Sequence, residues 1–141
     1  MLLRTAFQAF VTALHEHLAG SEFADIGPAH GNVFQFIDRD GTRLTELARR
    51  AQLTKQAMQE LVDYLERHGY VERVPDPHDA RAKLVRLTKR GWEVIPVGHA
   101  AINEIEPSAK AALGARRYRQ LRELLLDLGD AWDKNRPKPR S

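Results

Sequence analysis

The sequence predicts a mainly α-helical fold with one small β-hairpin, and three patterns carry that prediction. Apolar residues recur at intervals of three and four through most of the chain, which is the period of amphipathic helices. Two short segments, 70–74 and 83–87, instead alternate apolar and polar side chains, as half-buried strands do. The residues between them, 75–82, are polar and include two prolines, which is typical of the loop of a hairpin.

Two helices are predicted in the first part of the chain. An apolar stripe at helical spacing begins at Leu3 and ends at Leu18, and Gly20 follows as a stop. A second helix is predicted over 28–37, because proline is tolerated in the first turn, where its missing N–H has no partner. Residues 38–41, Asp-Arg-Asp-Gly, are typical of a turn.

A pair of helices joined by a tight turn is predicted next. Thr42 is expected to cap a short helix that ends near Ala51. Thr54 is expected to cap a longer helix over 55–68, and Gly69 supplies a left-handed stop. Two such helices match the helix-turn-helix motif.

The hairpin follows this motif directly, so the prediction is a winged helix-turn-helix. Thr88 is expected to cap another helix, which Pro96 should kink and Pro107 should kink or end. The last helix is predicted over about 115–132, where apolar residues spaced 3-4-3-4 form a seam typical of helix pairing. The tail, 134–141, is expected to be disordered.

The composition excludes several classes of function. Hydrophobic residues make up 43% and charged residues 29%, which is ordinary for a globular protein. No apolar run is long enough for a transmembrane helix, and the N-terminus lacks the features of a secretory signal. Because there are no cysteines, disulfides, thiol chemistry and thiolate metal sites are excluded. We therefore expect a cytoplasmic protein.

The distribution of charge points to a polyanion as partner. Ten of the 22 basic residues but only six of the 19 acidic ones lie within 49–90, although a solvated basic face is the alternative reading. In a helix-turn-helix the second helix enters the major groove with its N-terminal part, where Gln, Lys and Thr can contact bases and phosphates. The candidates in the reading helix are Thr54, Lys55, Gln56 and Gln59. An ordinary solvent-exposed helix face is the alternative for these four.

The wing provides the other candidates. Arg81 is near the tip of the predicted hairpin and has the length to enter the narrow, negative minor groove. Arg73 and Lys83 lie along the strands and would reach phosphates. Asp79 is interpreted as structural: it would accept a hydrogen bond from a loop N–H or pair with Arg81, and so define the shape of the loop.

The wing segment resembles a signature of the MarR (multiple antibiotic resistance regulator) family. That signature is an Asp-x-Arg followed by a strand ending in Leu-Thr-x-x-Gly, and the chain has both within 76–91, Asp-Pro-His-Asp-Ala-Arg-Ala-Lys-Leu-Val-Arg-Leu-Thr-Lys-Arg-Gly. Residues 46–48, 54–58 and 65–73 are similar to the family's helix-turn-helix. The order of elements is similar too, so the resemblance covers nearly all of a single chain, 1–141.

The resemblance implies a homodimer in which terminal helices, here 1–20 and 89–133, interlock and two winged lobes, here 28–88, bind the halves of a pseudo-palindrome. The apolar residues of the terminal helices agree with a homodimer, since burying all of them within one monomer is harder than sharing them between two. Packing of the seam within one chain is the alternative. The predicted dimerisation residues are Leu3, Phe7, Phe10, Tyr118, Leu121, Leu125, Leu128 and Trp132.

The function implied by the resemblance is sequence-specific binding of double-stranded DNA, most often as a ligand-responsive repressor. Family members often release DNA when a small aromatic or anionic molecule binds between the dimerisation and DNA-binding regions. The predicted pocket residues here are Phe10, His30, Phe34 and Trp92, with ordinary core packing as the alternative. An activator or ligand-insensitive binder of the same fold, or a winged helix that binds protein, stays open.

No metal, cofactor or catalytic activity is expected. His15 and His17 point to different faces of a helix, and the motifs of the common hydrolase, phosphate-binding and zinc-protease sites do not occur in the sequence. The acidic pairs lie on polar helix faces beside basic neighbours, which favours solvated surface over acid–base catalysis.

Overall fold

The computed structural model describes residues 1–134, apart from the side chain at position 133, and confirms a mainly helical fold with one hairpin. A 3-10 turn, Pro28–His30, stands where the second predicted helix begins. The regular elements are α1 (Leu2–Ala19), α2 (Gly31–Phe36), α3 (Leu44–Ala51), α4 (Lys55–Arg67), β1 (Val71–Asp76), β2 (Asp79–Leu87), α5 (Lys89–Leu113) and α6 (Ala115–Lys134). No helix within these residues is both long and apolar enough to cross a membrane. Of the tail predicted to be disordered, 135–141 lies outside the described residues.

The chain forms two compact units, one of residues 1–102 and one that begins at Asn103. The core of the first unit gathers the apolar faces of α2, α3, α4 and the hairpin with Phe23 and Ile26, which precede α2. In α4 the spacing of apolar residues decides which face turns inward. Met58, Val62 and Leu65 lie at four- and three-residue intervals and are completely buried.

The caps of α4 agree with the sequence prediction. The hydroxyl of Thr54 accepts a hydrogen bond from the backbone N–H of Ala57 at 3.1 Å. After the last turn of α4, Gly69 has a φ of 77°, a left-handed conformation that glycine adopts without strain. Between α3 and α4, Gln52 is left-handed as well, with a φ of 56°. These positions define the tight turn that sets α4 against α3.

The predicted cap of α3 by Thr42 is wrong. The helix begins at Leu44, and Thr42 lies two residues earlier, paired through its backbone N–H and C=O to Val85 of β2 at 2.9 Å each. Its hydroxyl accepts a hydrogen bond from the N–H of Asp38 at 2.8 Å. Because Thr42 is buried as a third extended segment beside the hairpin, its side chain is used to close the preceding turn instead of the helix end.

The wing is a longer ladder with a tighter turn than predicted. The expected loop, 75–82, is mostly strand, and only Pro77 and His78 separate β1 from β2. The register pairs Pro75 with Lys83 and then shifts, so that Asp76 faces Asp79 and 80–82 bulge from β2. Proline has no N–H to give to a ladder, so the shift at Pro75 occurs where a regular pairing would lose a hydrogen bond anyway.

The helix after the wing begins as predicted but does not end at Pro107. The hydroxyl of Thr88 accepts a hydrogen bond from the N–H of Gly91 at 3.1 Å, which caps α5. The helix continues through Pro96 and Pro107 to Leu113. Gly114, with a φ of 77°, ends it.

We predict that Gly91→Ala lowers the free energy of unfolding by about 2 kcal/mol or more. A Cβ at this buried glycine would lie 2.1 Å from the carbonyl oxygen of Tyr70, and that oxygen already accepts a hydrogen bond from the N–H of Thr88 at 3.0 Å. Urea denaturation of the purified protein measures the change.

The matched control is Gly98→Ala in the same helix, where a Cβ would meet no atom within 4 Å. Alanine there should be neutral or stabilise the protein by up to about 1 kcal/mol, since glycine weakens a helix interior. Equal effects of the two substitutions would contradict the close packing of Gly91 on Tyr70.

Candidate nucleic-acid interface

The first turn of α4 is exposed because the opposite face of the helix is in the core. Thr54, Lys55 and Gln56 are all exposed, whereas Met58 is completely buried. Two of the four predicted base-reading side chains already have partners within the chain. The hydroxyl of Thr54 caps the helix, and the side-chain amide of Gln59 donates a hydrogen bond to Asp63 at 2.8 Å. Lys55 and Gln56 are the two of the four whose side chains have no partner among the described residues.

In the wing, Arg81 and Lys83 are both exposed. Arg81 lies in the bulge that follows the two-residue turn. The side chain of Asp79 accepts a hydrogen bond from the backbone N–H of Arg81 at 3.1 Å, so this carboxylate folds the backbone from which the arginine projects.

Arg73, unlike Arg81 and Lys83, forms ion pairs within the chain. Its side chain is only 19% exposed and its guanidinium forms ion pairs with two carboxylates of α4, Asp63 at 2.7 Å and Glu66. The hydrogen bond from Arg73 is the main cause that lowers the pKa of Asp63. The arginine thus ties β1 to α4, and its predicted contact with phosphate stays a prediction.

Three further arginines around the interface are also paired with carboxylates of the lobe. Glu46 accepts from both Arg49 and Arg50 of its own helix, and these hydrogen bonds lower its pKa to about 2. Arg86 of β2 pairs with Glu72 of β1 at 2.7 Å. By contrast, across residues 1–134, no carboxylate lies within ion-pair distance of the exposed cations on the first turn of α4 and near the tip of the wing. These are Lys55, Arg81 and Lys83.

The sequence analysis missed an ion pair of the wing that is made by a buried aspartate. Asp76 is only 7% exposed and accepts hydrogen bonds from the backbone N–H of His78 at 2.9 Å and from Nε of Arg43 at 2.8 Å, which lower its pKa. An aspartate directly before a proline indicates a turn. Nothing in the sequence indicates an arginine 33 positions earlier as its partner.

A cavity of about 630 Å³ lies in the first unit among α1, α2 and α5. Phe10 and Phe34, two of the four predicted pocket residues, line it, whereas His30 and Trp92 are not among its lining residues. His15 lines it too, and its Nδ1 is buried without a hydrogen-bond partner among the described residues. The cavity is mostly apolar, and this ring nitrogen offers a polar contact within it.

His30 belongs to a stack of aromatic rings instead. Its ring lies 4.2 Å from that of Tyr64, which in turn lies 4.0 Å from that of His68. The N–H of Gly27 donates to Nδ1 of His30 at 2.9 Å. Burial is the main cause that lowers the pKa of His30, and His68 lowers it further, whereas nearby Asp25 acts in the opposite direction.

The predicted dimerisation residues divide between the two units, and most of them are exposed. In α1, Leu3 is 50% and Phe7 60% exposed, while Phe10 is half-buried. In α6, Trp132 is 59% exposed. Leu121 and Leu125 are also exposed, and Tyr118 and Leu128 are half-buried.

Comparisons with known proteins agree with this winged helix-turn-helix geometry. Residues 24–82 match a family model described as MarR family. The solved structure of wild-type MarR from E. coli, in its apo form, has 26% sequence identity and a TM-score of 0.76, and the match covers 90% of this chain and 93% of that one. The family match thus covers the winged lobe, 24–82, and the whole chain has the fold of MarR. The resemblance seen in the wing sequence is thereby confirmed, and members of this family are DNA-binding regulators of transcription, not enzymes.

Two further comparisons concern a segment of the chain and the whole fold. A 59-residue segment is 39% identical to the transcriptional activatory protein BadR of Rhodopseudomonas palustris, and it makes up 40% of this chain and 34% of that relative. FabT of Streptococcus pneumoniae, solved in complex with DNA, has the same fold, with a TM-score of 0.78 at 18% identity. That match covers 96% of this chain and 95% of FabT.

We predict that His30→Asn reduces the loss of stability on acidification. Because the pKa of His30 is lowered in the folded state, the unfolded chain binds a proton at mildly acidic pH that the folded chain does not. The free energy of unfolding should therefore fall as the pH drops from about 7.5 to about 5.5, and fall less in the variant. Urea denaturation at the two pH values measures this; an equal loss in both proteins would contradict the prediction.

Proposed function

We propose that the chain is a sequence-specific binder of double-stranded DNA that acts as a homodimer and represses transcription by occupying a promoter. The observation that carries the proposal is that the first turn of α4 and the wing carry exposed cations without carboxylate partners. Five arginines around the interface have carboxylate partners, whereas Lys55, Arg81 and Lys83 have none across residues 1–134. Unpaired cations on a winged helix are suited to phosphates and groove edges.

In the proposed complex, the first turn of α4 lies in the major groove. Gln56 is suited to a bidentate pair with adenine, and Lys55 to donation to guanine. Thr54 keeps its cap on α4, and its exposed position suits contact with a phosphate or a thymine methyl. Gln59 would contact a base only after giving up its hydrogen bond to Asp63.

The wing supplies the second set of contacts in the proposal. Arg81 enters the minor groove, where the potential is most negative, and Lys83 holds a phosphate. Arg73 is left outside the proposed contacts, because its half-buried guanidinium is occupied by Asp63 and Glu66. The DNA-bound structure of FabT, which has the same fold, supports this mode of binding for the family's architecture.

A homodimer is supported by the apolar side chains left exposed on the terminal helices. Phe7 in α1 and Leu121, Leu125 and Trp132 in α6 are each more than 40% exposed. Burying such side chains favours association by about 25 cal/mol for each Å² of apolar surface removed from water. Two identical lobes would then read the two halves of a pseudo-palindromic site.

Activation of transcription is the second candidate, and one comparison favours it. The relative that shares 39% identity over 59 residues is named a transcriptional activatory protein. The position of the DNA site relative to the promoter discriminates the two, because a site that overlaps the promoter blocks polymerase and an upstream site does not.

We also propose that a small aromatic or anionic effector controls DNA binding from the cavity near α1. Its volume of about 630 Å³ is in the range of small-molecule pockets. Phe10 and Phe34 would contact an aromatic ring, and the unpartnered Nδ1 of His15 would bind a polar group. Selection of bound sequences from random DNA, with and without a panel of aromatic acids, identifies the operator and tests the effector together.

We predict that Arg81→Ala weakens binding to the selected operator roughly 10-fold or more. The arginine has no carboxylate partner within residues 1–134, so its loss removes a DNA contact and no internal ion pair. Arg86→Ala, on the same strand, is the matched control: Arg86 is paired with Glu72, and its loss should have a much smaller effect. Gel-shift titration at constant salt measures both. Unchanged affinity of the Arg81 variant would remove the wing from the mechanism.

We predict that Leu125→Asp converts the dimer to monomer at micromolar concentration. Leu125 is 45% exposed in the isolated chain, and a carboxylate buried at an interface without a partner is strongly unfavourable. Analytical ultracentrifugation gives the oligomeric state, and Gln120→Asp on the same helix, at an exposed polar position, is the control. A wild-type protein that sediments as a monomer would overturn the proposed dimer.

A further inference from the structure

The two residues before α3 are bound to the wing, one through its backbone and the other through its side chain. Arg43 directly follows Thr42, whose N–H and C=O both bond to Val85 of β2. The adjoining Gly41 has a φ of 101°, and a Cβ there would lie 3.1 Å from Leu84, so the chain passes close against the hairpin. The start of α3 is therefore held against β2, which pairs with β1 on its other side.

From this position the guanidinium of Arg43 reaches the carboxylates at both ends of the two-residue wing turn. Its Nε lies 2.8 Å and its Nη2 2.7 Å from Oδ2 of Asp76. The same Nη2 lies 3.4 Å from Oδ2 of Asp79. One cation thus joins the last residue of β1 to the first residue of β2.

The second oxygen of each carboxylate folds the backbone of the turn. Oδ1 of Asp76 accepts from the N–H of His78 at 2.9 Å, and Oδ1 of Asp79 accepts from the N–H of Arg81 at 3.1 Å. The path from Arg43 to the backbone of Arg81 therefore consists of two contacts, both through Asp79. The carboxylates that pair with Arg43 therefore also shape the bulge in which Arg81 lies.

The charge balance makes Arg43 necessary to this arrangement. Asp76 and Asp79 face each other across the hairpin, and Asp76 is almost completely buried. Two carboxylates this close repel each other unless a cation lies between them, and a buried carboxylate that loses its partner is costly. Among residues 1–134, Arg43 is the cation within ion-pair distance of both.

We propose that Arg43 is a positioning residue for the wing: it neutralises Asp76 and Asp79, and so places the bulge from which Arg81 enters the minor groove. The proposal rests on the proposed DNA-binding function. Arg43 itself does not contact DNA in this account, because its guanidinium is committed to the two aspartates. It links the start of the helix-turn-helix to the tip of the wing.

The test on DNA is a double-mutant cycle measured by gel-shift titration with the operator recovered from random DNA. Arg43→Ala alone should weaken binding by nearly the same factor as Arg81→Ala. In the Arg81→Ala background, Arg43→Ala should weaken binding to the operator by less than about a further twofold, because no wing arginine is left to position. Arg49→Ala is the control for loss of one cation from α3, since Arg49 pairs with Glu46 of its own helix and should act independently of Arg81.

Two results of the cycle would overturn the proposal. If Arg43→Ala weakens binding by the same factor in both backgrounds, Arg43 acts on DNA or on folding independently of the wing. If Arg43→Ala has no effect on binding while Arg81→Ala does, the wing keeps its position without it. Thermal unfolding of each variant shows whether the lobe stays folded at the temperature of the titration.

A second measurement needs no DNA, and so separates this proposal from the proposed function. In the free protein, Arg43→Ala should speed amide hydrogen exchange at His78 and Arg81, whose N–H groups bond to the two aspartates, by a larger factor than at Val62 and Leu65 in α4, where exchange follows global stability. Unchanged exchange at the wing would overturn the positioning role. Faster exchange in a protein that binds no DNA would leave the role intact and overturn the proposed function alone.

Discussion

The burial of one face of α4 is the constraint on which the rest of the site depends. Met58, Val62 and Leu65 are completely buried against Tyr70 and the other core residues of the lobe. Because these apolar side chains leave water only when they face the core, their burial determines how α4 is rotated about its axis. Lys55 and Gln56 must then point away from the core, and the cap at Thr54 places them in the first turn.

Charge pairing determines which cations remain available to a ligand, as burial determines which side chains face outward. Most cations of the wing and α3 form ion pairs with carboxylates of the same lobe. The pairs of Arg73 with α4 and of Arg43 with the wing are examples. These pairs hold the parts of the lobe in register. Lys55, Arg81 and Lys83 form no such pair among residues 1–134, and they lie on the first turn of α4 and on the wing.

The sequence predicts most of the fold because its signals are local. The apolar period of α4, its threonine cap and its glycine stop all act within one helix, and all three predictions hold. The bounds of the wing strands were harder to predict, since the prolines at 75 and 77 and the polar residues after them suggested a long loop. The structure instead accommodates Pro75 at a shift of register.

What the sequence could not predict depends on contacts between distant residues. Thr42 has the residue type and position of a helix cap, but its backbone pairs with Val85 of β2 instead. Only the fold shows this pairing. Arg73 resembles any exposed strand arginine until Asp63 and Glu66 are placed beside it by the packing of β1 on α4. The same holds for Trp92, whose aromatic character suggested the pocket that Phe10 and Phe34 line.

Site-specific photo-crosslinking tests the central claim most directly. A photoreactive amino acid at position 56, in the first turn of α4, should crosslink to bases within each half of the selected duplex. The same group at the exposed position Glu123 of α6 should not crosslink to that DNA. Crosslinking from position 123 with none from position 56 would contradict the account, because the helix exposed by the core would then face away from the DNA.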